Sequence, residues 1–138
     1  EHKYCNKLNN YSSDFQTEIQ KLIDNEGISY IIMGNRRTDP YSSKLEAICP
    51  SSPGWPDFTR LFPILDWNYQ DVWQFLLTFE LPYCPLYDLG YTSLGEVHNT
   101  IRNPHLKIEQ DTDGNHKYLP AYKLVDESFE RESRLKKK

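Results

Sequence analysis

Residues 28–40 read ISYIIMGNRRTDP, and this stretch gives the strongest indication of the fold. Residues 28–33 form a nearly unbroken apolar run rich in β-branched side chains, which is typical of a buried strand in a parallel sheet. Gly34 ends the run. Because ligands of open α/β sheets bind just beyond the carboxyl ends of the strands, a binding site is expected in the polar residues that follow.

The residues before this strand predict an amphipathic helix. From Phe15 onward, apolar side chains recur at offsets of 4, 7 and 8 residues. Ser13 or Asp14 can cap the start of this helix, and Gly27 can end it. A helix of about three turns therefore leads into the strand.

The residues after the strand predict a second step of the same kind. Residues 40–58 are rich in proline and suggest an irregular surface excursion, and residues 61–65 suggest another short strand. Asn68, with Asp71 three residues later, opens a second helix that Pro82 ends. Its expected buried face consists of Val72, Phe75, Leu76 and Phe79. Alternating strands and helices predict an α/β fold.

The ends of the chain and its second half give weaker patterns. Residues 1–13 are polar and predict a flexible N-terminal segment. Residues 83–117 are rich in turns and predict no regular element, with a polar loop at 111–115. Residues 118–122 suggest an extended segment, after which Asp126 can cap a final charged helix.

Composition excludes several classes of protein. A net charge of −4 and a pI near 5.5 argue against nucleic acid or an anionic membrane surface as a partner. No apolar stretch approaches the length of a membrane span, and no secretory leader is evident. Cysteines and histidines are scattered without ligand spacing, so neither a disulfide framework nor a protein-bound metal site is expected. A soluble cytoplasmic protein is predicted, and the oligomeric state is left open.

Two segments contain candidate binding residues. Arg36 combines with Asp39 in a pattern that suits a phosphate or the edge of a planar ring, although the two side chains could equally brace the loop as an ion pair. Trp55 and Arg60 could stack a planar ligand and meet its phosphate, but a tryptophan there could also pack as a lid over the core.

The final helix carries Arg131 and Arg134, which lie three residues apart and so share one face. Glu127 and Glu130 stand four residues before them and could form ordinary surface ion pairs. The sequence contains none of the phosphate-loop, dinucleotide-binding, zinc-protease or serine-hydrolase signatures.

Five ordered blocks resemble the sulfonucleotide-reductase-like adenylyltransferase domain of eukaryotic FAD synthases. They are GNRRTDPYS at 34–42, PGWPDFTRLFPILDW at 53–67, YDLGYTSLG at 87–95, NTIRNPHL at 99–106 and YLPAYKLVDESFERESRL at 118–135. The resemblance implies a Rossmann-like α/β sandwich of the adenine nucleotide alpha-hydrolase (PAPS reductase-like) type. Residues 14–138 would form only its C-terminal part.

The resemblance also implies an activity, in which AMP is transferred from MgATP to FMN to give FAD and pyrophosphate. FMN and ATP are then the expected partners, with Mg²⁺ entering together with ATP. The family's GxRxxDP block would place Gly34, Arg36 and Asp39 in the flavin site. Its W-P-x-F-x-R block would add Trp55 and Arg60.

The same resemblance assigns catalytic roles to three residues. Arg131 and Arg134 match the family's C-terminal arginine motif, which contacts phosphates, and Asp39 is grouped with them as catalytic. No role carries over to Ser52, where some fungal relatives have an aspartate.

One departure from the family pattern concerns ATP. The family's S/N-G-G-K-D phosphate loop is absent, because the glycines stand only at 27, 34, 54, 90, 95 and 114. The isolated chain is therefore expected to be inactive as a synthase. A non-catalytic flavin-binding module is the alternative function. A sulfonucleotide reductase would need a catalytic cysteine near the C-terminus, and none follows Cys84.

Overall fold

The computed structural model describes residues 14–110 and 116–135. The chain divides into two compact units, the first ending at Asp66 and the second beginning at Trp67. The expectations for residues 1–13 and for the 111–115 loop lie outside the described residues.

The first unit begins with helix α1, Phe15–Glu26. The carboxylate of Asp14 accepts hydrogen bonds from the backbone N–H groups of Gln16 and Thr17 and so caps the first turn. Gly27 ends the helix in the left-handed conformation, with φ of 67°. The predicted helix and both of its ends are therefore confirmed.

Three short strands follow in the first unit: β1 at Tyr30–Ile32, β2 at Ile48–Pro50 and β3 at Thr59–Leu61. β3 lies in the middle, parallel to β1 and antiparallel to β2. The parallel strand is thus confirmed. The strand expected at 61–65 ends at Leu61, because the chain turns there and Leu65 donates its N–H to the carbonyl of Phe62. Sequence patterns did not predict β2.

One face of this sheet is exposed. Tyr30, Ile32 and Ile48 are 64%, 73% and 64% exposed, and the strand register puts them on the same face with Thr59 and Leu61. The prediction that β1 is buried was therefore wrong for this face. The run is apolar on both faces, but within the described residues only the face of Ile31 is covered.

The second unit begins with helix α2, Tyr69–Thr78. Asn68 and Asp71 form a reciprocal capping box, as the sequence predicted. The predicted buried face was only partly right, however. Val72 and Leu76 are half-buried and Leu76 packs against the core, but Phe75 and Phe79 are 41% and 61% exposed. The buried face is rotated towards Tyr69 and Trp73.

Trp73 accounts for this rotation of α2, because it is the centre of an aromatic cluster. Its ring meets those of Tyr69, Tyr83, Tyr87 and Tyr122 edge to face, at centroid distances of 5.2 to 6.2 Å. The core is completed by the buried side chains of Leu106, Ala121 and Leu124.

The rest of the second unit consists of short elements, where the sequence predicted no regular structure before residue 118. The antiparallel strands β4, Lys107–Gln110, and β5, His116–Tyr118, form a hairpin. Five 3₁₀ helices occur in the described residues: Pro85–Leu89, Val97–Asn99, Pro104–Leu106, Ala121–Lys123 and Glu127–Ser133. The segment expected to be extended at 118–122 therefore combines a strand end with a 3₁₀ turn.

Gly90 is a tightly constrained position in this unit. It has φ of 89°, ends the helix Pro85–Leu89, and accepts a hydrogen bond of 2.7 Å from the N–H of Asn103. A Cβ atom at this position would lie 2.5 Å from the Cβ of Tyr118. Glycine is required for both the backbone conformation and the space.

Candidate functional site

The loop after β1 carries the first candidate residues. The backbone N–H of Arg36 donates to Asp39 Oδ2 at 2.8 Å, and the guanidinium Nη2 lies 3.8 Å from Oδ1. The side chain of Arg36 is only 9% exposed and that of Asp39 is 23% exposed. The loop-bracing ion pair considered as an alternative is therefore present. A partly accessible Asp39 oxygen remains compatible with ligand binding.

Arg37 fixes this loop to other parts of the first unit. It forms an ion pair with Asp66 and donates a hydrogen bond of 2.8 Å to the carbonyl of Leu45.

Gly34, at the start of the loop, has open space beside it. An added Cβ at this position would meet no atom within 4 Å. Neither sterics nor a positive φ requires glycine at position 34 in the described structure, so the space beside its backbone is open.

A cavity of about 160 Å³ contains the second pair of candidates. It lies between α1 and the covered face of the sheet, and Trp55 and Arg60 both line it. The remaining lining residues are Phe15, Ile19, Ile31, Met33, Ser52 and Phe58. The cavity is mostly apolar and aromatic, with one cationic side chain, which suits a flat ring bearing polar atoms.

Backbone and side-chain contacts hold this pair of residues. Arg60 donates from Nε to the carbonyl of Pro50 at 3.0 Å and from Nη1 to Ser52 Oγ at 3.3 Å. The Trp55 ring meets Phe15 edge to face at 5.9 Å and is 37% exposed. Trp55 therefore forms part of the cavity wall while still reaching solvent.

The second unit carries Arg131 and Arg134, and here the expected α-helix is a 3₁₀ helix. Arg131 is half-buried in its last turn. Arg134 follows the helix, pairs with Thr100 in an isolated antiparallel bridge, and donates to the carbonyl of Leu94 at 2.6 Å. The two arginines thus flank Ser133.

The acidic residues near these arginines were expected to pair with them at an offset of four residues, and those pairs stay a prediction. Glu127 Oε2 accepts a hydrogen bond from the backbone N–H of Tyr69 at 2.9 Å, at the start of α2. Offset-four pairing is typical of an α-helix, whereas in the 3₁₀ helix Glu127–Ser133 side chains three residues apart lie over one another.

Charge and burial shape the surroundings of the arginine segment. Hydrogen bonds from Ser128 lower the pKa of Asp126, which caps the helix. Burial raises the pKa of Tyr87, and the positive charge of Arg134 partly offsets this effect. No group of three or more His, Cys, Asp and Glu side chains in the described ranges could hold a metal ion.

The predicted residues thus form three groups. Arg36 lies with Asp39, Trp55 lies with Arg60, and Arg131 lies close in sequence to Arg134. Within the first unit, neither member of the Arg36 pair is among the residues lining the cavity. Sequence reasoning missed the buried polar residues behind the third group, although the YDLGYTSLG and NTIRNPHL blocks contain two of them, Thr92 and Asn103.

Comparison with known proteins decides the family. The phosphoadenosine phosphosulfate reductase domain matches residues 2–102. This chain belongs to that family. The fold agrees with the expected PAPS reductase-like α/β class, with a parallel β1–β3 pair preceded by a helix.

Individual relatives of this family member are named for an activity, which narrows the comparison beyond the family. "Probable FAD synthase" of Schizosaccharomyces pombe is 46% identical over 113 residues, which cover 82% of this chain and 41% of that protein. "Probable FAD synthase" of Caenorhabditis briggsae is 45% identical over 105 residues, covering 75% and 20%. The chain therefore spans less than half the length of these two relatives, and its resemblance to FAD synthases is clear.

A solved structure gives the same picture. FMN adenylyltransferase of Candida glabrata, in complex with FAD and inorganic pyrophosphate, matches with a TM-score of 0.81 and 29% identity. The match covers 93% of this chain and 56% of that one.

No helix in the described part of this PAPS reductase-family chain has the length and apolar character needed to cross a membrane.

Proposed function

We propose that this chain is the flavin-binding part of an FMN adenylyltransferase. The observation that carries the proposal is the cavity in which Trp55 and Arg60 lie together, in a fold shared with a protein solved with FAD and pyrophosphate. The relatives named FAD synthase support the same activity.

Trp55 and its aromatic neighbours would receive the flavin ring. At about 160 Å³ the cavity is smaller than the roughly 300–1,000 Å³ of pockets that enclose a whole small molecule, so it would take only part of the ring system. Arg60 would face the polar atoms of that ring. The remainder of FMN would extend outward, past the partly exposed indole.

Arg36, Asp39 and Gly34 would bind another part of the flavin. Asp39 already accepts from the Arg36 N–H and is partly accessible, so it is a preformed acceptor for a ring N–H. The open space beside Gly34 would allow close approach of a ligand to the backbone.

The transfer itself needs no nucleophile from the protein. A phosphate oxygen of FMN attacks the α-phosphorus of ATP, the bond to the bridging oxygen breaks, and pyrophosphate leaves. Arg131 and Arg134 would offset the negative charge that develops on the phosphates. Mg²⁺, when present with ATP, would supply further neutralisation of the phosphate charge.

A flavin-binding module without catalysis is the second candidate function. It applies to the isolated 138 residues, which contain no S/N-G-G-K-D block whose backbone amides would cradle the phosphates of ATP. We also propose a reducing compartment such as the cytoplasm, because Cys49 and Cys84 are free thiols. Nucleic acid and membrane are not proposed as partners, since the net charge is −4.

Titration of the 138-residue chain with FMN, followed by flavin fluorescence, tests the flavin site. Trp55→Ala should weaken FMN binding by about 1–3 kcal/mol, the range measured for loss of one aromatic stacking partner. Arg36→Ala and Asp39→Ala should each cost about 1.5–3 kcal/mol, because each removes a charge-assisted contact. Trp67→Ala, a tryptophan in the second unit, is the matched control and should leave FMN affinity unchanged.

Two further measurements separate the candidate functions. FMN binding without any change on adding ATP, and no FAD formed from FMN and MgATP, would favour the binding module for this chain. Absence of FMN binding by the unsubstituted chain, or equal FMN affinity in Trp55→Ala, would contradict both.

A further inference from the structure

A cluster of buried polar side chains lies behind the arginine segment. Asn103 and Ser133 are fully buried, and Thr92 is 3% exposed. Polar groups in such a position destabilise the fold unless hydrogen bonds replace their contacts with water. These three come from the YDLGYTSLG block, the NTIRNPHL block and the C-terminal helix, so the cluster joins three distant stretches of sequence.

The directions of the hydrogen bonds in this cluster can be assigned from chemistry. Thr92 Oγ1 lies 2.6 Å from the carbonyl oxygen of Glu130, which can only accept, so the single hydroxyl proton of Thr92 goes there. In the 2.9 Å contact between Thr92 and Ser133, the serine hydroxyl must therefore donate. Thr92 also accepts from Asn103 Nδ2 at 2.7 Å.

The remaining groups of the cluster are also satisfied. Ser133 Oγ accepts the backbone N–H of Thr92 at 3.0 Å. The second amide proton of Asn103 goes to the carbonyl of Phe129 at 2.8 Å, and its Oδ1 accepts from the N–H of His105 at 3.0 Å. Since both hydroxyl groups and the whole Asn103 side-chain amide have partners, the network admits one arrangement and resists shifts of register.

This network is attached directly to the two arginines, because Ser133 lies between them. The carbonyl of Ser133 accepts the N–H of Ile101 at 2.8 Å, and the N–H of Leu135 donates to the carbonyl of Asn99 at 2.8 Å. The Arg134 guanidinium donates to the carbonyl of Leu94. The backbone on both sides of Arg134 is therefore fixed.

We propose that Thr92, Asn103 and Ser133 are positioning residues, which hold Arg131 and Arg134 in the geometry needed to bind the phosphate groups of the substrate. The inference rests on the proposed function, since it gives the arginines a phosphate ligand. Arginines on a frayed C-terminal segment would have to be ordered at each binding event, at an entropic cost. The network removes that cost because the segment is ordered before the anion arrives.

A matched pair of substitutions isolates the contribution of the Thr92 hydroxyl. Thr92→Val keeps the shape but leaves the Glu130 carbonyl, the Ser133 hydroxyl proton and one Asn103 N–H without their partner. Thr92→Ser removes only a methyl group and keeps all three bonds. Ser133→Ala is a second variant that breaks the network from the other side, should Thr92→Val fail to fold.

The experiment measures binding of inorganic pyrophosphate to the chain by calorimetry, well below the melting temperatures of all variants. Loss of one hydrogen bond between an arginine and a phosphate typically weakens binding about tenfold or more, so Thr92→Val, which releases the arginine segment, should weaken pyrophosphate binding at least about tenfold. Thr92→Ser should bind nearly as the unsubstituted chain does. Amide exchange at Ile101 and Leu135 should be faster in Thr92→Val than in Thr92→Ser.

Lumiflavin, which has the flavin ring but no phosphate, is the internal control. A merely structural role for the network would lower the melting temperature without changing pyrophosphate affinity in fully folded protein, and that result would overturn the inference. Equal losses in Thr92→Val and Thr92→Ser, or no pyrophosphate binding by the unsubstituted chain, would overturn it too. Pyrophosphate binding without lumiflavin binding would instead contradict the proposed flavin site and leave this inference standing.

Discussion

The first unit exposes apolar side chains on its sheet, whereas the second buries polar side chains in its centre. Tyr30 and Ile32 of β1 face outward, while Asn103 and Ser133 are fully buried. The second unit has a core around Trp73, and in the first unit one face of the sheet is left uncovered by the described residues. The comparison indicates that burial follows tertiary packing rather than polarity: polar side chains are buried where hydrogen bonds satisfy them, and apolar ones stay exposed where no described residue covers them.

The largest effect expected from this comparison concerns two tryptophans. Trp73→Ala should lower the free energy of unfolding by about 3–5 kcal/mol, because it empties the centre of the aromatic cluster. Trp55→Ala should cost less than about 2 kcal/mol, because its ring is already 37% exposed. Urea denaturation followed by circular dichroism measures both. Equal losses would mean that the first unit depends on its cavity wall as strongly as the second depends on its core.

A smaller effect distinguishes the two faces of β1. Ile31→Ala should cost about 2 kcal/mol, since Ile31 lines the cavity beneath α1. Ile32→Ala should change stability by no more than about 0.5 kcal/mol, since its side chain is 73% exposed. The same denaturation experiment applies. A large loss in Ile32→Ala would show that the outer face is covered in solution.

The smallest effect expected is a dependence of stability on pH, to which one helix-capping aspartate in each unit contributes. Hydrogen bonds from Thr17 lower the pKa of Asp14 in the first unit, and hydrogen bonds from Ser128 lower that of Asp126 in the second. A lowered pKa stabilises the folded state above the ordinary value of 3.8, and the contribution is lost as pH falls through the folded-state pKa.

The melting temperature, measured at a series of pH values from about 5 down to roughly 2, tests this expectation, because aspartate side chains titrate in that range. Asp14→Asn and Asp126→Asn keep a capping oxygen but cannot titrate, so each should flatten part of the decline. A decline of unchanged steepness in the double variant would assign the acid sensitivity to other carboxyls.

The sequence predicted the starts of both α-helices and the end of α1 well, because caps are local, whereas α2 ends at Thr78, before the Pro82 that was expected to end it. Asp14, Gly27 and the Asn68–Asp71 box each depend on residues no more than four positions away. The buried face of α2 could not be predicted in the same way. It depends on Trp73 meeting Tyr83, Tyr87 and Tyr122, whose positions are set by tertiary packing.

In the candidate site, too, contacts between residues close in sequence could be predicted and contacts between distant residues could not. Trp55 and Arg60 could be expected together because they lie only five positions apart in the chain. The bond between Thr92 and Ser133 spans 41 residues, and neither residue type distinguishes itself from ordinary loop serines and threonines. Likewise, an apolar run such as residues 28–33 predicts a strand, but it does not show whether other segments of the protein cover both faces of that strand.

Gly90 has a consequence for inherited variation in the gene. Every missense change of a glycine codon introduces a Cβ atom, and at this position that atom would lie 2.5 Å from Tyr118 Cβ with the backbone held at φ of 89°. Size, charge and polarity of the new side chain would therefore matter little, since even alanine carries the offending carbon. Codon 90 should accumulate only synonymous changes, while codon 34, where a Cβ would meet open space, should tolerate alanine as far as folding is concerned.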